Sequence, residues 1–452
     1  MILLDETKTI APWTQKLPLD WKVARLDAVT EVLFSNVDKH IIEGEQPVRL
    51  CNYVDVYKNE KITGNLDFME ATAEPREVKK FEIRRGDVLA TKDSEEADDI
   101  AISSLVAEDL PGVLCGYHLA LIRPRSSRLH GPFLAWAHAS KQLRAQYEAK
   151  AVGVTRFGLS QYAFRAARIP LPLMPEQERI AAYLDASCAA IDAAVAAKRR
   201  QIETLNALRR FTINHAITRG VHPGASLAAS GHDWLGDIPS HWTSPCLKRL
   251  LNEPLTYGLN EAAELEDRDL PRYLRITDFD ENGSLRDDTF RSLPREIARE
   301  AMLEADDVLF ARSGATVGKT FMFRDYEGEA CFAGYLIRAR TVPWRLNPLF
   351  LYYFTKTSAY EAWKNLIFTQ ATIQNISAAK YNYLAIPLPP LAEQQSICDF
   401  VERKDTEFRT LSVQIERQIE TLVAYRKSLI HECVTGQQRV TEADIKRVQA
   451  HG

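Results

Sequence analysis

The chain repeats itself with a period of 217 residues, and this limits what it can fold into. Residues 169–218 align without gaps onto 386–435, and seventeen of the fifty positions are identical. The shared blocks include IPLP (169–172 and 386–389), the pairs Glu176/Gln177 and Glu393/Gln394, and QIETL (201–205 and 418–422). Arg209 and Arg426, Ile213 and Ile430, and Thr218 and Thr435 continue the match. A period this long is a domain plus a linker, not the unit of a solenoid. Upstream the repeat loosens: Pro18-x-x-Trp21 matches Pro239-x-x-Trp242, and 85–89 matches 305–309. Gly116-Tyr117 matches Gly334-Tyr335, and 153–155 corresponds to 370–372. The order is variable domain, helix, variable domain, helix.

The repeated blocks are helical. Pro170, Pro172 and Pro175 favour extended chain up to Glu176, and no Pro or Gly then occurs as far as Thr218. Leu184, Cys188, Ile191, Val195, Lys198, Ile202 and Leu205 alternate spacings of four and three, the seam of a coiled coil. Val401, Phe408, Leu411, Ile415, Ile419, Leu422 and Leu429 nearly repeat it. Helices over 176–218 and 393–435 would each run on the order of 65 Å and pack antiparallel.

The remaining sequence reads as mixed α+β (α/β in the broad sense). Short β-rich runs at 48–56, 87–91 and 118–124 have counterparts at 273–280, 307–312 and 334–340. Helical patterns follow at 132–149 and 348–365, and the Gly- and Pro-containing stretch 219–242 reads as an irregular connection. The expected divisions are a first globular domain (1–170), a helical spacer (171–220), a second globular domain (221–385), a second spacer (386–436) and a polar tail (437–452).

Composition excludes several classes. The seven cysteines are far apart with no CxxC pair, so they read as reduced thiols, neither a zinc site nor a disulfide framework. The first residues resemble no signal peptide and no run of eighteen apolar residues occurs, so no membrane span and a cytoplasmic location are expected. The net charge of −4 is mildly against a nucleic-acid binder but does not exclude a locally basic groove.

No catalytic constellation emerges. Residues 313–320 resemble a phosphate loop, but Ser313 stands where that motif needs glycine. Glu77-Val78-Lys79 has the spacing of a nuclease triplet without an acidic partner on a preceding strand. A methyltransferase's Gly-rich cofactor loop and [DN]-P-P-[YF] loop are missing, and the histidines form no metal-ligand pair. No catalytic, cofactor-binding or metal-ligating residue is assigned. A binding surface is better supported. Polar residues follow an apolar strand in both halves: Thr91, Lys92, Asp93 and Ser94 in one, Arg312, Ser313 and Lys319 in the other. A second pair of loops contributes Thr155 and Arg156 against Gln374 and Asn375. Such donors reach phosphates or base edges, although each residue alone is equally ordinary turn chemistry.

The boundary blocks IPLPLMPEQERIAAYLD (169–185) and IPLPPLAEQQSICDFVE (386–402) resemble those of type I restriction–modification specificity subunits. So do the linker ending SGHDWLGDIPSHW (230–242) and the elements GDVLATKDS (86–94) and DDVLFARSGATVGK (306–319). The resemblance implies a non-catalytic subunit whose two globular domains each read half of a split site in double-stranded DNA. It implies helices that act as a spacer and dock two methyltransferase subunits, with motor-nuclease subunits joining for cleavage. S-adenosylmethionine would be held by the methyltransferases, not by this chain. Half-sites would lie about one helical turn apart, ~34 Å. The alternative is a tandem-domain coiled-coil scaffold that binds proteins but not DNA.

Overall fold

A computed structural model describes residues 17–262, 264–280, 283–314, 316–369 and 375–451. Two long helices dominate it, Met174–Arg219 and Leu391–Val434. The first begins two residues before the expected Glu176. Pro175 falls in its first turn, where a missing N–H is harmless and the fixed φ suits the helix. Each helix ends at a left-handed glycine, Gly220 (φ 79°) and, two residues past Val434, Gly436 (φ 70°). The hydroxyls of Thr218 and Thr435 donate to the carbonyls four residues back.

The chain forms two compact units that do not follow its linear divisions. Unit 1 takes residues 1–198 and 417–452, and unit 2 takes 199–416, so each long helix is shared between them. The split 1–170, 171–220, 221–385, 386–436 and 437–452 describes elements, whereas each unit combines a domain with half of both helices.

Unit 1 contains β1 (Lys22–Arg25), β2 (Thr30–Phe34), β3 (Gln46–Cys51), α1 (Tyr53–Lys58), β4 (Lys61–Ile62) and β5 (Met69–Ala73). β6 (Val88–Thr91), β7 (Asp93–Ser94), β8 (Ser103–Val106), β9 (Val113–Cys115) and β10 (Leu119–Pro124) follow. Then come α2 (Gly131–Ala139), α3 (Lys141–Glu148), β11 (Phe157–Gly158) and β12 (Arg168–Leu171). The central sheet has the order β2-β10-β6-β8-β4, beside a three-stranded sheet β5-β3-β9 and the pairs β1-β12 and β7-β11. Ile180, Leu184, Cys188, Ile191 and Val195 of the first long helix share the core with Leu429, Ile430, Cys433 and Val434 of the second. Asp192 meets Arg426, and Tyr183 meets Gln438 just past the end of the second helix, so the helices run antiparallel here. The alanine-rich start of the first helix is long and apolar enough to resemble a membrane span. Its seam is nevertheless buried in this core, which absent runs of eighteen apolar residues did not foretell.

Unit 2 repeats the plan with β13 (Leu227–Ala229), β14 (Asp237–Pro239), β15 (Thr256–Tyr257), β16 (Arg272–Leu274) and β17 (Asp307–Ala311). β18 (Thr320–Phe323), β19 (Ala330–Phe332), β20 (Leu336–Ala339), α4 (Pro348–Phe354) and α5 (Ser358–Thr369) complete it. The main sheet is β15-β20-β17-β18. Ile213, Ala216 and Ile217 pack with Ile397, Cys398 and Val401, and Arg209 pairs with Asp405 across the helices.

Five expectations change. The run 48–56 is a strand followed by α1, because the Asp55 carboxylate accepts the Asn52 N–H and starts a helix. Likewise 273–280 leaves its strand at Leu274, where Asp278 accepts the Arg275 N–H and turns the chain. The connection 219–242 holds the hairpin β13–β14. In the second seam Leu411 is exposed while Ser412 is half-buried, since the 4-3 stepping from Phe408 reaches 412. The Gly-Tyr repeat is also out of register by one: Gly116 N–H bonds Cys51 O as Ala333 N–H bonds Leu274 O.

Two buried devices occur twice. Gln177 accepts the His130 N–H (2.8 Å) and donates to Arg128 O and Pro172 O. Gln394 accepts the Asn347 N–H (2.8 Å) and donates to Arg345 O and Pro389 O. Asp87 pairs with Arg123, and Asp307 with Arg340. The residues before them, Gly86 (φ 91°) and Asp306 (φ 73°), are both left-handed.

Replacing Gln177 by Ala strands three backbone groups, one of them fully buried, and should destabilise unit 1 by about 2–4 kcal/mol. Gln394→Ala should do the same to unit 2. Urea unfolding followed by hydrogen exchange in each unit checks this; loss confined to the helix ends would contradict it.

Candidate nucleic-acid interface

In unit 1 the two candidate loops meet. β7 pairs antiparallel with β11, Ser94 opposite Phe157 and Asp93 opposite Gly158, and the Leu159 N–H bonds Lys92 O. This sets 91–94 beside 153–156. The turn at 153–156 is tight: a Cβ on Gly153 would lie 2.0 Å from the Arg156 carbonyl oxygen. Asp93 joins the loops, accepting from the Arg156 guanidinium at 2.7 Å and lying 2.8 Å from His118 Nδ1. Lys92 Nζ sits 4.4 Å from the Tyr117 ring centroid and 5.1 Å from that of Phe34. Burial of its stem pulls its pKa down, and the rings favour the cation.

The sequence-derived residues separate by exposure. Thr155 and Arg156 are exposed and Lys92 is half-buried. Thr91 is fully buried with its hydroxyl accepting the Ile102 N–H, and Ser94 is buried with its hydroxyl accepting the Glu96 N–H. Those two hold the loop's shape and present nothing to a ligand. Asp93, mostly covered, orients Arg156 and His118.

Unit 2 repeats the pairing in shortened form. Ser313 bridges antiparallel to Asn375, and the Ile376 N–H bonds Arg312 O. Arg312 lies with its guanidinium 4.7 Å from the Tyr257 ring, and its Nε is buried without a partner, as is Asn375 Oδ1. Lys319 is exposed at the turn between β17 and β18, where Ala311 N–H bonds its carbonyl. That turn joins two strands, not a strand and a helix, so the phosphate-loop likeness of 313–320 has no structural counterpart. Gln374 lies outside the described residues.

Reading for charged residues missed the aromatic half of each surface. Tyr117, Tyr257 and Tyr335 are all substantially exposed, and the first two carry the cations. Only Tyr117 of the cation-bearing pair stands in the repeated Gly-Tyr motif; Tyr257 lies outside it. Among the described residues no group of three or more His, Cys, Asp or Glu could hold a metal, and the cysteines are free, with six of the seven buried. The helix arginines are also placed: Arg209 pairs with Asp405, and Arg426 with Glu60 and Asp192 over Trp136.

Comparison with known proteins gives a consistent likeness. Residues 18–204 and 296–421 match the family described as type I restriction modification DNA specificity domain. The chain is 20% identical over 446 residues to the type I restriction enzyme MjaVIII specificity subunit of Methanocaldococcus jannaschii, covering 94% of each chain. It is 24% identical to the putative MjaX specificity subunit of the same organism, an alignment spanning 50% of this chain and only 52% of that one. A chain solved in work on complex assembly and conformational transition of the type I R-M system shares the fold with a TM-score of 0.73 at 20% identity, covering 93% of this chain and 99% of that one.

Gly153→Ala should open the turn that carries Thr155 and Arg156. The expected result is faster amide exchange at Val152 and Gly158, whose N–H groups bond across it, and at Leu159, whose N–H bonds Lys92 O in the adjoining loop, with little change in global stability. Unchanged protection there would show that the turn tolerates a side chain.

Proposed function

The chain belongs to the type I restriction modification DNA specificity family, and from that premise we propose how its parts divide the reading of a split DNA site. As a specificity subunit it contributes sequence recognition and no catalysis. The loop pair of unit 1 reads one half-site of double-stranded DNA, and the corresponding loop pair of unit 2 reads the other. The observation that carries this is the repeated arrangement itself: a strand edge, a paired loop and a cation resting on a tyrosine, built twice from different residues. Same scaffold with different side chains is what two readers of two different half-sites require.

The long helices set the spacing between half-sites and dock two methyltransferase subunits, which bring S-adenosylmethionine and extrude the target base. Motor-nuclease subunits join for cleavage, and the assembly works in the cytoplasm. Docking on the helices is favoured by apolar side chains left exposed on them, Leu208 and Phe211 in unit 2 and Val423 and Tyr425 in unit 1. Leu208 and Tyr425 are equivalent positions of the repeat. Arg209 and Arg426, with their pairs inside each unit, suit a role in holding the helices together better than one in partner contact.

Exchanging 1–170 for the domain of another family member should change one half of the methylated motif and leave the other intact, as read by adenine-methylome sequencing. A change in both halves would refute independent reading. Lys92→Ala or Arg312→Ala should cost about 1–3 kcal/mol of discrimination at one base if the cation reaches a base edge. If it reaches phosphate alone, binding weakens for all sequences and its salt dependence becomes shallower. Binding titrations over several salt concentrations with matched and mismatched duplexes separate the two; no change in either would remove the residue from the interface.

A further inference from the structure

Three lysines of unit 2 converge on the turn between β17 and β18, a grouping that unit 1 lacks. The Gly318 N–H bonds Ala311 O and the Ala311 N–H bonds Lys319 O, so residues 318–320 lie beside Arg312 at the loop end of the main sheet. Lys356, just past α4, donates to the Thr320 carbonyl (2.9 Å) and hydroxyl (3.1 Å) and rests 4.4 Å from the Tyr352 ring centroid. Lys364 of α5 runs along Gly318, where a Cβ would come within 2.2 Å of its Cδ and 3.2 Å of its Nζ. Lys319 is the exposed third member.

The acids close to this group are already engaged. Glu361 holds Lys364 at 2.8 Å, and Asp405 serves Arg209 and Arg409. Among the described residues neither Lys319 nor Lys356 has an ion pair. Burial, with Arg209, Lys319 and Lys364 as like-charged neighbours, pulls the Lys356 ammonium down to about 8, and Glu361 only partly offsets this. Thr320 takes two of its N–H groups and leaves the third, and Lys356 keeps contact with solvent. An anion placed here accepts that third N–H and cancels the repulsion.

The duplication supplies an internal control. Gln177 and Gln394 each accept the N–H just ahead of α2 or α4, which makes His130 and Asn347 equivalent. At the same offset, the Ser140 hydroxyl donates to Ala137 O, and the Thr357 hydroxyl to Phe354 O. Lys356 and Lys364 then correspond to Ala139 and Tyr147. Strand pairing makes Thr320, opposite Phe310, equivalent to Ser103, opposite Ala90, and hence Lys319 to Ile102. The same framework stands in unit 1 on Ala, Tyr and Ile, so the fold does not require the lysines.

We propose that Lys356 and Lys319 form a phosphate site in unit 2, occupied by a backbone phosphate of the DNA whose bases the adjoining loop reads. This rests on the reading of unit 2 as a DNA reader, because the turn that carries the site also carries Arg312. Lys364 and Arg209, each held by its own acid, are not contacts. The phosphate positions the duplex without reading sequence. It also couples binding to one proton. Below about pH 8 Lys356 is charged with or without DNA. Above that, binding must first restore the proton, because the phosphate raises the pKa of the ammonium. Affinity therefore falls as pH rises, by up to about tenfold per pH unit, until the pKa of the bound form is passed.

The test uses the full chain assembled with its methyltransferase subunits, titrated with duplexes carrying its methylated motif between about pH 7 and 9. Lys356→Met should weaken matched and mismatched duplexes alike by about fivefold near physiological salt, lower the salt slope by about 1 and flatten the pH profile. Lys356→Arg keeps its charge throughout that range, so it should retain affinity yet lose the pH dependence. A methylphosphonate scan of the half-site read by unit 2 should find one position whose neutralisation removes the pH dependence from the wild type. A pH profile that both variants share with the wild type, in a complex that still prefers its motif, overturns the phosphate site and leaves the reading of DNA standing. A complex with no preference for the motif removes that reading, and the site with it. In protein labelled with ¹³C-lysine, a Lys356 signal that moves with inorganic phosphate but not with duplex assigns the site to free phosphate and overturns the assignment to DNA.

Discussion

Gln177 and Gln394 bind a strand end, a loop and the first turn of a long helix with one amide each. Every bond they make is to backbone, so they fix the chain path irrespective of which side chains surround it. An amide can do this because it accepts and donates at once; a carboxylate or an amine in the same place would leave groups unpaired. The entry of each helix, the start of α2 or α4 and the edge carrying the IPLP segment all follow from it. The Asp–Arg pairs Asp87–Arg123 and Asp307–Arg340 do comparable work one layer further into the sheets, buried and held by a left-handed residue before each acid. With the framework tied to backbone in this way, the domains can diverge at their loops without losing the fold.

Much of this was legible in the chain itself. The helices could be read because a seam with 4-3 stepping and no Pro or Gly leaves few alternatives, and the Glu-Gln pairs stood out because they repeat. What was not legible depended on contacts between distant residues. Asn52 and Asp55 form a helix start that looks like continued strand from β-propensity alone. Thr91 and Ser94 read as surface polar groups, yet their hydroxyls accept backbone N–H groups inside the loop. Lys92 and Arg312 were visible as cations, but the tyrosines beneath them come from segments 25 and more residues away. The joining of β7 to β11, which creates the surface, has no local signal.

The duplication also shows which features the fold needs and which it only permits. Gln177/Gln394, the Asp–Arg pairs and the helix-ending glycines recur because the backbone geometry requires them. Trp21 donates to Glu176 where the equivalent Glu393 meets His241, so the partner of that acid is free to change. The loops and the α2/α4 face change most.

The discontinuous make-up of unit 1 bears on how the chain folds as it is synthesised. Domains ordinarily mature from the N-terminus onward. Here unit 2 is one unbroken stretch, 199–416, whereas the core of unit 1 joins Trp21 and Leu26 to Leu429, Cys433 and Val434. At ribosomal speeds of roughly 5–20 residues per second, the first-made residues wait about 20–80 s for the strip of helix that covers them. During that interval Leu184, Cys188 and Ile191 lack their apolar neighbours from the second helix, and the part of the protein made second is the first able to close.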